Sequence, residues 1–286
     1  DANEPTFVAA LSKVSAVAAG EDHSAAITPG GELYTWGNAE CGKLGHGSSM
    51  IRSSMGFPKQ VKIESCMKSV SCGATHTAVI CSNGELFTCG AGWFGRLGHG
   101  DMDNQYSLKL VQTVMPDLGT TAECPRFAQL TCGSFHTCVL DERSMLWVFG
   151  RDYTVCEEDH IKTPLLFKKI EDGSEVLSVA AGSNHTLCIT AQGSMWGWGK
   201  GSADQAGPTL VSSKGWGSGK PELIATACGY AHSLAATDAG ELWAWGLQSG
   251  GRLALKSPYE GKFCPTPHKV YPSWKLLEKP VEKAKA

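Results

Sequence analysis

The chain of 286 residues contains 34 glycines, 42% hydrophobic residues and 19% charged residues, and its formal net charge is −3. No apolar run approaches the ~18 residues needed to cross a bilayer, so we expect no membrane insertion. The nearly balanced charge gives no general attraction to nucleic acid, and we expect no direct binding to it. Because the chain begins at Asp1 without a methionine or a hydrophobic signal segment, we expect a processed product or an excised fragment.

One pattern occurs five times, at residues 19–37, 72–90, 132–150, 181–199 and 228–246. Each copy contains Gly-x-x-His and closes with a second glycine fourteen residues after the histidine. The first glycine, the histidine and the closing glycine of successive copies are Gly20, His23 and Gly37; Gly73, His76 and Gly90; Gly133, His136 and Gly150; Gly182, His185 and Gly199; and Gly229, His232 and Gly246. Consecutive histidines lie 47 to 60 residues apart, a period typical of one four-stranded propeller blade per repeat.

Each copy predicts a β-hairpin. Small and β-branched residues follow the histidine, then a turn, then a leucine or methionine beside an aromatic residue. Four copies have a glycine at one turn position, where positive φ is needed: Gly31, Gly84, Gly193 and Gly240. The third copy has Ser144 there, so we expect its turn to be distorted.

The repeats predict an all-β fold, a single β-propeller of four-stranded antiparallel blades over residues 1–274 with five recognisable repeats. A weaker pattern, a proline followed by an apolar residue, recurs between the copies at 58–61, 164–167, 221–224 and 267–270. A seven-bladed ring at this period would need roughly 350 residues, so we expect incomplete or divergent terminal blades. Residues 275–286 alternate lysine with glutamate and are interpreted as a charged, solvated tail.

The twelve cysteines are interpreted as reduced, structural thiols rather than as disulfides or zinc ligands. There is no C-x-x-C, and the residue before the motif glycine is cysteine in three copies (Cys72, Cys132, Cys228) and alanine in the other two. A cysteine that alternates with alanine behaves as a small core residue. We therefore expect an intracellular, reducing compartment, with the cytoplasm, the nucleus and an organelle all left open.

The motif histidines are predicted to be structural. A general base is usually single, whereas five symmetry-related histidines would lie on five different blades, too far apart to share a metal. We expect each imidazole to be buried or half-buried and to hydrogen-bond backbone groups of its own blade. The sequence predicts no metal site and no catalytic residue.

No cofactor is predicted either. The glycine-rich segment Gly90–Gly95 follows a hairpin strand and does not lead into a helix, as a dinucleotide site would require. The segment Lys214–Pro221 lacks the glycine and the Ser or Thr of a phosphate loop. With no nucleophile, base and orienting group at a recognisable spacing, we expect the protein not to be an enzyme.

The repeat, together with GKLGHG (Gly42–Gly47) and GRLGHGD (Gly95–Asp101), resembles the regulator of chromosome condensation repeat family over residues 13–255. This resemblance implies a β-propeller, typically of seven blades. The fold alone does not fix a function. The family resemblance implies a non-enzymatic platform for protein partners or, alternatively, a guanine-nucleotide exchange factor for a small Ran-like GTPase. The GlyTrpArgHisThr motifs of the family's plant UV-B photoreceptor are missing, so that role is not implied.

A candidate partner contact lies between the third and fourth copies. The segment CEEDH carries Glu157, Glu158 and Asp159 in a row, an acidic stretch suited to a basic surface on a protein partner. A solvated loop and a metal site are the alternatives. The partner itself is left open, as a small GTPase or a multiprotein assembly.

Overall fold

The computed structural model describes residues 7–8, 10–47, 54–113, 125–151, 160–167, 170, 173–199, 208–211, 216, 222–255 and 263–270. Its regular structure consists of five separate four-stranded antiparallel sheets, each built from four consecutive strands. Each sheet is one propeller blade. The predicted all-β fold of four-stranded antiparallel blades is therefore confirmed. The predicted tail at 275–286 lies outside the described residues, and the boundary at residue 274 stays a prediction.

The strands follow the repeats. Blade 1 contains β1 (Ala16–Ala19), β2 (His23–Ile27), β3 (Leu33–Gly37) and β4 (Met55–Gln60). Blade 2 contains β5 (Met67–Cys72), β6 (His76–Cys81), β7 (Leu86–Gly90) and β8 (Gln105–Leu110). Blade 3 contains β9 (Phe127–Cys132), β10 (His136–Asp141), β11 (Leu146–Gly150) and β12 (Ile161–Leu166). Blade 4 contains β13 (Val176–Ala181), β14 (His185–Thr190), β15 (Met195–Gly199) and β16 (Thr209–Leu210). Blade 5 contains β17 (Leu223–Cys228), β18 (His232–Thr237), β19 (Leu242–Leu247) and β20 (Phe263–Val270).

The hairpin between the second and third strands sets the register of every blade. The motif histidine lies opposite the closing glycine, as in the pair His136 and Gly150. At Gly150 φ is +104°, and a Cβ there would lie 2.6 Å from the His136 Cα, so only glycine fits. The fixed spacing of fourteen residues therefore reflects the length of the hairpin.

The expectation of a distorted turn at Ser144 is wrong. Ser144 adopts φ +59°, close to the values of the turn glycines, and the pairing of β10 with β11 stays regular. The Asp141 carboxylate accepts hydrogen bonds from the backbone N–H groups of Arg143 and Met145, each at 2.9 Å. This local side-chain capping stabilises the turn, so a serine is tolerated where the other blades have glycine.

The core lies between blades. The second strands of blades 2, 3 and 4 are buried along their whole length, because a neighbouring blade covers each face. A strand buried on both faces loses the alternation of polar and apolar residues, which explains their nearly continuous apolar sequences. Pro58, Pro164 and Pro267 lie in outermost strands, where a missing N–H costs no pairing within the sheet.

Antiparallel pairing sorts the loops onto two faces. We call the upper face the end at which the motif histidines begin the second strands. It carries the Gly-x-x-His loops and the segments between the third and fourth strands, including 3₁₀ turns at Glu40–Gly42, Trp93–Gly95 and Ser249–Gly251. The lower face carries the tight turns and the links to the next blade. Within the described ranges, no helix is long and apolar enough to span a membrane.

Candidate interaction site

The motif histidines join consecutive blades. Four of the five rings are buried, and each places Nε2 within hydrogen-bonding distance of a hydroxyl oxygen that follows the motif histidine of the next blade. The pairs are His23 to Thr77 at 2.8 Å, His76 to Thr137 at 2.9 Å, His136 to Thr186 at 2.8 Å and His185 to Ser233 at 3.0 Å. The expected backbone partners within the same blade are not the partners of Nε2. The motif is a joint between blades.

The hydroxyl groups define the proton positions in two of these joints. Thr77 Oγ1 donates to the Lys43 carbonyl at 2.7 Å, and Thr137 Oγ1 donates to the Arg96 carbonyl at 2.8 Å. A hydroxyl has only one proton, so each must accept from the histidine Nε2–H. The Nδ1 atoms of His23 and His76 have no hydrogen-bond partner. The rings of these joints are therefore neutral, with the proton on Nε2.

Burial keeps these imidazoles neutral. It lowers the pKa of His23 to about 4, with Lys43 adding to the effect, and it lowers the pKa of His185 to about 4. Burial also lowers the pKa of His76 well below its ordinary value. Moving a cationic ring out of water is costly, and at His23 this cost outweighs the opposing effect of the Asp22 carboxylate, 3.9 Å from Nδ1. A neutral, buried ring that donates from Nε2 to the next blade suits a structural joint.

The motif glycine permits this close joint. A Cβ on Gly133 would lie 2.5 Å from the Gly182 carbonyl oxygen of the next blade and 2.6 Å from Nδ1 of His136. Both distances are shorter than van der Waals contact, and the carbonyl belongs to the backbone of the innermost strand region. The glycine is needed because two blades and a ring meet there.

The fifth joint differs. His232 is half-buried, and its ring makes no hydrogen bond to any residue that the structure describes. The three atoms nearest to a Cβ on Gly229 all belong to the His232 ring, with Nδ1 at 2.6 Å, whereas in the other four blades a backbone carbonyl oxygen of the next blade is among the nearest three. Partial burial and the charge of Arg252 lower the pKa of His232. The motif is complete here, but the joint is not.

The five motif glycines surround one central cavity of about 290 Å³ on the upper face. Cys72, Cys132 and Cys228 also line it. Burial raises the pKa of each of these thiols to about 12, so they are protonated at neutral pH. The ten cysteines of the described ranges are free thiols. In the same ranges, no group of three or more His, Cys, Asp or Glu is placed to hold a metal ion.

On the upper face, the segments that follow the third strands of blades 1 and 2 form backbone hydrogen bonds with the next blade. In GKLGHG, the Gly47 N–H donates to the Tyr106 carbonyl at 2.8 Å; in GRLGHG, the Gly100 N–H donates to the Lys162 carbonyl at 2.8 Å. Both acceptors belong to the outermost strand of the next blade. The cations of the two segments, Lys43 and Arg96, are both buried. Sequence reasoning treated these segments only as family markers.

The two buried cations have different partners. Lys43 Nζ forms an ion pair with Asp22 Oδ1 at 2.7 Å. Arg96 donates from Nη1 to Thr75 Oγ1 at 2.6 Å and to the Ser134 carbonyl at 2.7 Å, and its Nη2 has no partner. Asp22 and Thr75 occupy the same motif position, immediately before the histidine. That substitution was visible in the repeat alignment, and it is the signal that could have identified Arg96.

Aromatic rings cover the Arg96 guanidinium. Its carbon lies 5.0 Å from the Phe135 ring centroid, 5.6 Å from that of Phe94 and 5.9 Å from that of Trp93. Trp93 is 51% exposed. Arg151 and His160 pack against Phe94. The Phe94 ring centroid lies 4.9 Å from the Arg151 guanidinium carbon and 5.1 Å from the His160 ring centroid. We call Trp93, Phe94, Phe135 and Arg96 the Arg96 cluster.

Of the sequence-predicted site residues, the fifteen motif glycines and histidines lie in the described blades, where the structure brings them to the upper ends of the joints. Glu157, Glu158 and Asp159 lie outside the described residues, so their proposed contact with a partner stays a prediction. Arg151 and His160, the described residues on either side of that segment in the sequence, both lie on the upper face beside Phe94.

Sequence comparison identifies the repeats. A profile of the Regulator of chromosome condensation (RCC1) repeat matches residues 30–80 and 83–140, and a second profile of this repeat matches 14–43, 67–95, 176–205 and 224–252. The E3 ubiquitin-protein ligase HERC2 of Homo sapiens is 32% identical over 206 residues, which cover 69% of this chain and 4% of the ligase. The Ultraviolet-B receptor UVR8 of Arabidopsis thaliana is 27% identical over 201 residues, which cover 68% of this chain and 43% of the receptor. The chain thus spans less than half the length of these curated relatives.

Two solved structures share the fold. Human WBSCR16 superposes with a TM-score of 0.79 at 20% identity, covering 91% of this chain and 67% of that one. Prp20p of Saccharomyces cerevisiae superposes with a TM-score of 0.55 at 16% identity, covering 91% of this chain and 77% of that one. At these identities the likeness shows the architecture alone.

Five antiparallel sheets, arranged around a shared cavity and joined through repeated histidines, define a β-propeller assembled from sequence repeats. The chain belongs to the regulator of chromosome condensation (RCC1) repeat family. The family and fold expected from the Gly-x-x-His and Gly-x-Leu-Gly patterns are confirmed.

Proposed function

We propose that the protein is a non-enzymatic platform that holds protein partners on its upper face. The observation that supports this most strongly is where the recurring polar residues are used. Four motif histidines and their hydroxyl partners are buried in joints between blades. Loops of the upper face, by contrast, present exposed charged groups, among them Glu21, Glu40 and Asp103. Partner contacts on rigid scaffolds are usually made by such loops.

The acidic triplet Glu157, Glu158 and Asp159 is our proposed contact for a basic partner surface. Changing all three to lysine should weaken partner capture from native extract without lowering the melting temperature, because charge reversal in a loop affects encounter and register more than folding. A matched control changes Glu32, Glu64 and Asp238, which are exposed on the lower face, to lysine. Capture that falls equally in both variants, or in neither, would remove the triplet from the interface.

A guanine-nucleotide exchange factor is the second candidate. It is favoured by the shared fold with Prp20p, a protein studied for its binding to Gsp1p and histones. Exchange factors work by stabilising a nucleotide-free partner, so they need none of the catalytic groups that are missing from the repeats. The discriminating measurement is release of fluorescent GDP from purified Ran and from any GTPase captured. Acceleration by a catalytic amount of this protein would favour the exchange factor over the scaffold.

We further propose a reducing intracellular compartment, supported by ten free thiols in the described ranges. If the protein is unfolded in denaturant without prior reduction and labelled with a thiol reagent, all twelve cysteines of the sequence should react as thiols. Recovery of fewer would indicate disulfides and argue for another compartment.

A further inference from the structure

The starting observation is the contrast between two equivalent buried cations. Lys43 has the Asp22 carboxylate as its partner, whereas Arg96 donates only to neutral oxygens: Thr75 Oγ1, the Ser134 carbonyl and, from Nε, the Trp93 carbonyl at 2.9 Å. Among the residues that the structure describes, no carboxylate forms an ion pair with Arg96, and its Nη2 has no hydrogen-bond partner.

A buried guanidinium in this state is unfavourable. Burial lowers the pKa of Arg96 to about 10, which reflects a cation removed from water without a compensating anion. An N–H group that is buried and unpaired retains its full desolvation penalty. The planar guanidinium fork matches a carboxylate in geometry as well as in charge. A carboxylate would therefore complement Arg96 in both charge and shape.

The cover over Arg96 is itself strained. Phe94 has φ +65°, a left-handed conformation that bulky residues rarely adopt, and the equivalent positions of blades 1 and 5 share it, with Cys41 at φ +59° and Gly250 at φ +62°. Contacts from blade 3 hold Phe94 in place, including an edge-to-face contact with Phe135 at 5.6 Å between ring centroids. Beside Phe94, Trp93 offers a half-exposed apolar surface.

We propose that the Arg96 cluster, between blades 2 and 3 on the upper face, is a docking site for an acidic segment of a protein partner. A partner carboxylate displaces Phe94 and bonds to Arg96, and an apolar side chain next to that carboxylate packs on Trp93. A single guanidinium enclosed by three aromatic rings suits one planar carboxylate with an apolar neighbour. This inference rests on the proposed platform function, and it names the surface and the chemistry of the partner.

The decisive variant is Thr75→Asp. It places a carboxylate at the position that Asp22 occupies in blade 1, where Thr75 Oγ1 already lies 2.6 Å from Arg96 Nη1. The carboxylate introduced by Thr75→Asp should form an ion pair with Arg96, so the melting temperature is expected to stay the same or rise. Arg96 is then no longer available to bind a carboxylate of a partner. A loss of binding in this variant is then not explained by unfolding.

The probe is a phage-displayed library of random twelve-residue peptides, selected against the folded protein. We expect enriched peptides to contain Glu or Asp beside an aromatic or aliphatic residue. Their synthetic copies should bind at least tenfold more weakly to Thr75→Asp and to Trp93→Ala, and Gln or Asn copies should lose binding equally. Phe57→Ala is the control, because Phe57 is 80% exposed on β4, away from the cluster.

Each outcome decides the proposal. Selected peptides without acidic residues, no enriched peptide, or peptides that bind Thr75→Asp as tightly as the unaltered chain would overturn it. If changing Glu157, Glu158 and Asp159 to neutral amides raises peptide binding and lowers stability, an acidic segment of this same chain is the occupant, and the proposal of a partner is wrong. If extract capture succeeds but is insensitive to Thr75→Asp, the platform function stands and this docking site does not.

Discussion

The joints inside the array and the edge of blade 5 contain the same motif in different surroundings. His23, His76, His136 and His185 are buried and bonded to the next blade, whereas His232 is half-buried without such a bond to a described residue. The cations after the third strands follow the same division, since Lys43 and Arg96 are buried and Arg252 is exposed. The comparison teaches that Gly-x-x-His acts as an interface motif, and we expect it to stabilise the protein only where another blade covers it.

The largest difference between joint and edge is expected for the motif glycine. In Gly133→Ala the new methyl group collides with the Gly182 backbone carbonyl, which cannot move without shifting blade 4. We expect a loss of about 3 kcal/mol in the free energy of unfolding, the upper range for overpacking. In Gly229→Ala the atoms nearest to the methyl group belong to the half-buried His232 ring, which can rotate away, so we expect less than ~1 kcal/mol. Urea unfolding of both variants measures this, and equal losses would break the comparison.

The histidine itself should show the next largest effect. In His76→Ala, Thr137 loses the donor to its hydroxyl and a buried cavity remains, so we expect a loss of about 2 kcal/mol. His232→Ala removes a half-buried ring with no such partner, and we expect less than ~0.5 kcal/mol. Thermal and urea unfolding provide the readout. A loss of comparable size at His232 would mean that its ring is engaged in solution.

Stability should fall as the pH drops, and the joints should cause the fall. The folded pKa of His185 is lowered to about 4 from 6.5, so below pH 6.5 the unfolded chain binds a proton that the folded joint excludes until about pH 4. The free energy of unfolding therefore decreases with falling pH between about 6.5 and 4, and this joint contributes about 2 kcal/mol of the decrease between pH 7 and pH 5. In His185→Gln the decrease between pH 7 and pH 5 should be smaller. An unchanged slope would show that this ring is already protonated in the folded joint.

The sequence alone was sufficient to predict the strands within a blade, but it did not predict the contacts between neighbouring blades. The spacing between His136 and Gly150 is local, because both residues belong to one hairpin, and it correctly predicted β10 paired with β11. The proline pattern was a weaker guide. Pro58, Pro164 and Pro267 lie in outermost strands, but Ile224 lies in β17, the innermost strand of blade 5.

The partners of the site residues could not be predicted in the same way. His76 bonds to Thr137, which is 61 residues away, and no periodicity within one copy encodes which face of the next blade it meets. Lys43 forms an ion pair with Asp22, whereas Arg96 has no ion pair with a described carboxylate. Both results depend on how the loop after the third strand folds back over the histidine of its own blade. The replacement of Asp22 by Thr75 in the second copy was readable, but its meaning required the geometry.

The smallest predicted effect concerns Ser24, the hydroxyl residue that follows the motif histidine of blade 1. Ser233 accepts from His185 at 3.0 Å, so Ser233→Ala should cost about 1 kcal/mol by leaving a buried N–H unpaired. Ser24 occupies the same motif position in blade 1, and no motif histidine of the described residues lies against it, so Ser24→Ala should change stability by less than ~0.3 kcal/mol.

The double variant Ser24→Ala with His232→Ala is the sharpest form of this test. Residues that do not touch have additive effects. A coupling energy above ~0.5 kcal/mol that is independent of protein concentration would mean that His232 and Ser24 pair within one chain and the ring closes, while a coupling that appears only at high concentration would mean that two copies join at these edges.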